Sequence, residues 1–295
     1  MTAVPPAEVA IDEALVRGLL RAQHPGLAER PLRHAGSGWD NELWRLGDDL
    51  VVRLPRRALG ATLVEHEQRW LPQLADRLGV PVPVPRHLGE PAPGYPWRWH
   101  VAPWLPGSTA DRRPLSAAGA RRLGAVLARL HVAAPPDAPA NPHRDGHVAR
   151  RPAPLPLLAA AGGPAPGTDT GALARVWERA CAAPPAPGCH WIHGDVHVRN
   201  VLTGPDGDLA AVLDWGDLCA GDPAVDLSAR WTTVPAAHEA AFLAAYGPVD
   251  PALEDRARGW ALVFATIVHV AHRDDDPAFA AVARATLTRL AAARD

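Results

Sequence analysis

The sequence predicts a two-lobed α+β fold, with an antiparallel sheet lobe first and a larger, mainly helical lobe after it. Three observations predict it. From Leu32 to Leu54 short apolar runs alternate with turns at Gly36-Ser37-Gly38 and Gly47-Asp48-Asp49, the signature of an antiparallel meander. After Gly107 the composition turns helical, and inside that helical stretch "HWIHGDVHVRNVL", residues 190–202, stands out as a small island of strand. Sheet followed by helices on one chain is the α+β arrangement.

The elements follow in order. Val9, Ala10, Leu15, Leu19 and Leu20 recur at helical spacing over 8–23, and His24-Pro25-Gly26 closes that helix. The meander of 32–54 comes next, and then "LVEHEQRWLPQLADRL" returns to helical spacing, with Leu63, Glu67, Trp70, Leu71 and Leu74 sharing a face. Prolines keep "GVPVPVPRHLG" extended, and "YPWRWHVAPWLPG" is an apolar strand ending in a linker at Pro103 to Gly107. Beyond it a helix opens at "PLSAAGARRLGAVLARLHVA" with Ser116 as cap. Residues 133–170, dense in Pro, Ala and Gly, predict a long loop with short helical pieces. A helix near 171–182 leads to the island, "DLAAVLDWGD" forms a strand into an acidic turn, and helix and loop alternate from Pro223 onward. The predicted domains are 1–103 and 104–295.

Composition narrows the function. A net charge of −2 provides no basic field for nucleic acid or anionic lipid, so neither is an expected partner. Cys181, Cys189 and Cys219 form no C-x-x-C pair, which predicts three reduced thiols in a cytoplasmic protein and no zinc site. The N-terminal stretch lacks the basic start and pure apolar run of a secretory signal, and no apolar run of about twenty residues predicts a membrane span. All 30 basic residues are arginine, so any task usually given to lysine falls to arginine.

The polar island carries the chemistry. Asp195 and Asn200 stand as D-x-x-x-x-N between apolar runs, and Asp214 ends the following strand, so a hairpin would bring the three to one edge. An Asn and an Asp oxygen suit a Mg²⁺ ion whose shell phosphates and water complete, while the other carboxylate can accept a proton from an attacking hydroxyl. Gly36, Ser37 and Gly38 would let backbone N–H groups approach a phosphate. The order is telling: glycine turn, Arg53 in a following strand, Glu67 on a helix, D-x-x-x-x-N, then Asp214. A kinase-type phosphoryl-transfer site needs that order. Glu65 competes with Glu67 as the partner of Arg53, and the spacing to Trp70-Leu71 favours Glu67.

"HGDVHVRN" followed by "VLDWGD" and "GDPAVDL" closely resembles the aminoglycoside phosphotransferase family, small-molecule kinases of the protein-kinase-like fold. The resemblance implies a nucleotide-binding N-terminal lobe, a catalytic and substrate-binding C-terminal lobe, and ATP or GTP as donor with Mg²⁺. It implies Asp195 as catalytic base, Asn200 and Asp214 as metal ligands, and Arg53 paired with Glu67 near the α- and β-phosphates. It further implies that Ala102 and Trp104 offer backbone groups to a purine, and that Asp222 and Asp226 support the catalytic loop. Arg53 departs from the usual lysine; it keeps the charge but is bulkier and forked.

The expected acceptor is a hydroxyl of a small molecule, an aminoglycoside or related antibiotic first, which would make this a resistance enzyme. Alternatives are a macrolide kinase, a metabolic kinase of a sugar, amino alcohol or amino acid, and a silent nucleotide-binding scaffold suggested by Arg53. Among the acids at 217, 239, 254, 255 and 274–276, Asp217 is the substrate candidate because it follows Asp214, and the others suit solvated helix faces. "GWALVFATIVHVAH" would line a pocket for a greasier molecule or simply fill the core. Trp39 and Asp40 either cover the nucleotide or pack the turn, and His193 is expected to order its loop and not to bind zinc. No A-P-E element follows Asp214, which disfavours protein substrates, and monomer and homodimer both stay open.

Overall fold

The structure, a computed structural model, describes residues 6–292; residues 1–5 and 293–295, the outer ends of the two predicted domains, lie outside the described residues. Two compact units emerge. The first gathers the chain up to residue 106 together with 212–218, and the second gathers 107–211 and the chain from 219 onward.

In the first unit, α1 (Glu13–Gln23) starts five residues later than the apolar spacing predicts. The reason is a cap: the Asp12 carboxylate accepts the Leu15 N–H at 2.8 Å. Next come β1 (Leu32–Ser37), β2 (Asn41–Leu46), β3 (Leu50–Pro55), α2 (Ala58–Leu78), β4 (His87–Gly89) and β5 (Trp99–Pro103). The strands form one antiparallel sheet in the order β1-β2-β3-β5-β4. A bulge between His34 and Gly36 breaks the β1–β2 register, and Gly36 takes the φ of 153° that the bulge needs. Strand alternation then sorts side chains. Val52, Leu54, Trp99 and Val101 pack with Leu19 and Leu20 of α1 in one core. Arg53 and His100 lie between them in sequence and so point to the opposite face, where α2 supplies Glu67.

The second unit runs through β6 (Ser108–Thr109), α3 (Ala117–Leu130), α4 (Pro154–Ala160) and α5 (Thr170–Ala182). Ser116 caps α3 by accepting the Gly119 N–H at 3.2 Å. Between α3 and α5 the chain holds only α4 and a 3-10 turn at Val148–Arg150, the short helical pieces that a Pro- and Gly-dense stretch permits. Then follow β7 (His190–Ile192), β8 (Val201–Thr203), β9 (Leu209–Val212), β10 (Cys219–Gly221), α6 (Ala224–Leu227), α7 (Ala229–Thr232), α8 (Glu239–Tyr246), α9 (Pro251–His272) and α10 (Pro277–Ala292). Two small sheets, β6-β8-β9 and β10-β7, bracket the polar island, whose loop joins β7 to β8. Gly124 lets α3 approach α8 closely: a Cβ there would lie 2.3 Å from the Phe242 carbonyl oxygen. Among the described residues no helix is long and apolar enough to cross a membrane.

Candidate active site

The first unit brings Arg53, Glu67 and Asp214 together. Glu67 is fully buried, with Arg53 Nε 3.3 Å from its Oε2, while Arg53 Nη2 donates to Asp214 Oδ1 at 2.5 Å. Glu65 is exposed on the outer side of α2. Burial pushes the Glu67 carboxyl up to about 7, against the pull of Arg53 and of the Trp215 N–H. Burial works equally against the Arg53 charge, but Asp214 first and Glu67 second outweigh it and raise its pKa. His100 behind them is pushed down to about 3 by burial and then by Arg53, so it stays neutral beside the guanidinium. Asp214 is the one non-glycine residue at positive φ, 57°, among the described residues. Backbone held in that region costs roughly 1–3 kcal/mol and concentrates at functional sites. Fully buried Trp215 pins it, donating from Nε1 to the Val212 carbonyl at 3.0 Å.

The remaining predicted nucleotide residues belong to the same unit. Gly38 N–H closes the hairpin turn on Asn41 O at 2.8 Å, and Ser37 Oγ donates to Glu42 Oε2 at 2.7 Å. A Cβ on Gly36 would meet nothing within 4 Å, so the space over the turn is open. Ala102 is buried in β5, whereas the Trp104 N–H is taken by the Asp49 carbonyl at 2.8 Å, which leaves Trp104 its carbonyl to offer. Arg45 stacks on the Trp104 ring, 4.5 Å from its centre. Asp40 is bound by Arg57 at 2.6 Å, and Trp39 is partly exposed. Asp217 is half-buried in the 212–218 segment.

In the second unit the loop after β7 is built on Asp226. This buried carboxylate accepts the backbone N–H of His193 at 2.7 Å and of Gly194 at 2.8 Å, and takes a third hydrogen bond from His131 Nε2 at 3.1 Å. The Tyr246 hydroxyl lies 2.9 Å from the other ring nitrogen, His131 Nδ1. His193 Nδ1 accepts the Asp195 N–H at 3.2 Å, and Arg256 holds Asp222 at 2.6 Å nearby. Asp195 stands at the head of the loop, surrounded by donors. Asn200 Nδ2 reaches its Oδ2 at 3.2 Å, His197 Nε2 lies 3.3 Å from the same oxygen, and Arg144 Nη2 lies 3.4 Å from Oδ1. Burial alone would raise its pKa, but His197 and Arg144 hold it well below the usual carboxylate range.

Asp195 opens onto a cavity of about 50 Å³ lined by Val198, Phe264, Val268, Phe279, Val282 and Thr286, among others. Apart from Asp195, no acid lines it among the described residues, and Asp217 is not part of its wall. Phe264 and Val268 come from the apolar run in α9, so that run faces a pocket on one side and the core on the other. The other acidic candidates are paired: Glu239 and Glu254 with Arg230, Asp255 with Arg179, Asp274 with Arg273, Asp275 with His272, and Asp276 with Arg199. Arg144, Phe279 and Val282, none of them singled out by the sequence, thus belong to the site. Arg144 lies in the stretch without periodicity, where no pattern marks it.

Among the described residues no three His, Cys, Asp or Glu side chains converge to hold a metal. Asn200 gives its amide protons to Asp195, which leaves Oδ1 as its coordinating atom, and Asp214 offers a carboxylate 46% exposed. Each is by itself an oxygen donor of the kind a hard cation accepts.

The profile of the phosphotransferase enzyme family, APH, matches residues 31–292. A comparison with curated proteins finds no significant match. Among solved structures, a GDP and kanamycin complex of APH(2")-IIia is 18% identical with a TM-score of 0.66, over 94% of this chain and 98% of that one. Macrolide 2'-phosphotransferase MphH from Brachybacterium faecium is 26% identical with a TM-score of 0.58, over 96% and 98%. Spectinomycin phosphotransferase APH(9)-Ia, bound to ADP and spectinomycin, is 13% identical with a TM-score of 0.65, over 95% and 98%.

Proposed function

Because this chain belongs to the phosphotransferase enzyme family, we propose that it moves the γ-phosphoryl group of ATP or GTP to a hydroxyl of a small molecule whose body is apolar and not polycationic. The observation that carries this reading is Asp195, a carboxylate bonded by Asn200 and flanked by His197 and Arg144, set in the wall of a pocket lined by no other acid among the described residues. The acceptor hydroxyl donates to Asp195, its oxygen forms the new bond to the γ-phosphorus, and the bond to the β-bridging oxygen breaks. The hydroxyl proton passes to Asp195 and on to solvent, and the nucleoside diphosphate leaves. A carboxylate with so low a pKa is a weak base, so its main service is to orient the hydroxyl and stabilise its developing proton.

The donor is assigned to the first unit, as the nucleotide domain expected at 1–103. Arg53, locked between Glu67 and Asp214, would meet phosphate oxygens, and the Gly36–Gly38 turn and the backbone of Ala102 and Trp104 would bound the nucleotide. Asn200 and Asp214 would hold Mg²⁺, which when bound neutralises phosphate charge. GDP or ADP in the named structural neighbours supports a nucleotide donor.

A polycationic aminoglycoside needs several carboxylates, and the acids of the second unit that could serve are occupied by arginines or histidine. The pocket therefore favours the less cationic alternatives, a macrolide or a metabolite. A coupled assay of ADP or GDP release tests the proposal, with each triphosphate in turn against aminoglycosides, macrolides, sugars and amino alcohols. Stimulation confined to aminoglycosides would overturn the acceptor assignment.

A further inference from the structure

His197 lines the same pocket as Asp195, and each part of its ring meets a different neighbour. Its Nε2 lies 3.3 Å from Asp195 Oδ2, its Nδ1 accepts the backbone N–H of Arg199 at 3.1 Å, and its face tilts against Phe279 with 5.5 Å between ring centres. A backbone amide nitrogen can only donate, so Nδ1 must present its lone pair and the ring proton stands on Nε2, aimed at Asp195. Arg199 is itself anchored. Its guanidinium is held by Asp111 at 3.2 Å and by Asp276 at 2.6 Å, and it lies 4.1 Å from the centre of the Phe279 ring. Asp276 also accepts the Phe279 N–H at 3.1 Å, so one carboxylate steadies both the arginine and the aromatic wall. The two oxygens of Asp195 are then unequal. Oδ2 faces Asn200 Nδ2 at 3.2 Å as well as His197, two donors for two lone pairs, whereas Oδ1 faces Arg144 Nη2 at 3.4 Å.

We infer that His197 is a positioning residue: its Nε2–H, together with Asn200, saturates Asp195 Oδ2 and thereby assigns the acceptor hydroxyl to Oδ1. The inference rests on the kinase reading of Asp195. His197 takes no proton from the hydroxyl in this role, because the lone pair it has to offer is engaged by Arg199. Its contribution is geometric, and a misplacement of about 1 Å at a reacting group can cost roughly 10²-fold in rate.

The three contacts of the ring separate by substitution. Glutamine offers an amide N–H at the reach of Nε2, asparagine offers an oxygen at the reach of Nδ1, and phenylalanine keeps the aromatic face alone. Turnover of the full chain is read as ADP or GDP release with Mg²⁺, with water as acceptor and with erythromycin. His197→Gln should keep most of the wild-type kcat, while His197→Asn and His197→Phe should lose up to about 10²-fold, with the nucleotide KM unchanged in all three. Best activity in the asparagine variant would mean that the ring serves its loop, and best activity in the phenylalanine variant that it serves the pocket wall. Either order, or equal loss in all three, overturns the inference. A second measurement needs no variant to be active: in ¹⁵N NMR of the histidine-labelled chain, with the His197 signals assigned by their absence from His197→Gln, the ring should carry its proton on Nε2. A proton on Nδ1 overturns the inference. Diphosphate release that survives Asp195→Asn sinks the kinase reading instead, whichever nitrogen carries the proton.

Discussion

Asp195 combines an ionised carboxylate with three neighbouring donors, and each neighbour predicts a separable effect. Asp195→Asn keeps the shape and removes the charge, so turnover should fall by roughly 10²–10⁴-fold. Nucleotide affinity, measured with a fluorescent analogue, should stay within about twofold, because the phosphate contacts are assigned to Arg53 and its partners. Asn200→Ala should raise the Mg²⁺ concentration for half-maximal activity on the order of tenfold or more. An unchanged Mg²⁺ titration would remove Asn200 from the metal site. These residues were legible in the sequence because D-x-x-x-x-N is a local spacing, and local spacing survives folding. Glu67 was legible for a related reason: a helix face that buries Trp70 and Leu71 also carries position 67 inward. Arg144 was not. It sits in a stretch with no period, and its relation to Asp195 and Phe264 is made by tertiary packing alone.

At the level of elements, strand alternation did most of the positioning. The run Leu50–Pro55 put Val52 and Leu54 on one face and Arg53 on the other, which a period of two predicts once the strand is recognised. Element ends were harder to read, because α1 begins at a side-chain cap and not where apolar spacing begins. Packing between α3 and α8 is set by close backbone approach at Gly124. Alanine there gains about 1 kcal/mol in helix propensity, but its Cβ collides with a carbonyl oxygen that cannot rotate away, and overpacking costs about 1–3 kcal/mol. The clash outweighs the gain by up to about 2 kcal/mol, and Gly124→Ala should lower Tm by up to roughly 4 °C. Helices α8 and α10 are tied by Glu239, which accepts from Arg289 and from Arg230. Burial opposes its charge, yet the arginine hydrogen bonds hold its pKa below the ordinary 4.5. The unfolded chain therefore binds this proton at higher pH than the folded one. Stability from this group is complete above about pH 5 and is lost as pH falls through the lowered folded value. Urea unfolding between pH 6 and 3 should show that loss, and Glu239→Gln should shrink it.

For the molecule as a whole, the decisive feature is that residues 212–218 cluster with the chain up to 106. Nothing in the sequence announces this return, since Asp214 follows a strand that reads as continuous with its own neighbourhood. The first unit is thus discontinuous, and its Arg53–Glu67 pair is closed by a residue 161 positions downstream of Arg53. A fragment ending at Pro106 loses Asp214 and the Val212 N–H bond to Pro81 O. Arg53 keeps Glu67 but loses a charge-assisted hydrogen bond at 2.5 Å, worth about 1.5–3 kcal/mol. Such a fragment should unfold at low urea with a shallow slope, and appending 212–218 through a short Gly/Ser linker should restore a cooperative transition by circular dichroism.

The same return sets a clock on the ribosome. The helical stretch 107–211 must be synthesised before Asp214 exists, and at about 5–20 residues per second that delay is roughly 5–20 s. Throughout it, the nascent sheet carries Arg53 without its downstream carboxylate and α2 without the Trp215 N–H that eases Glu67. The first unit of this enzyme is thus the first to be translated and among the last to be completed.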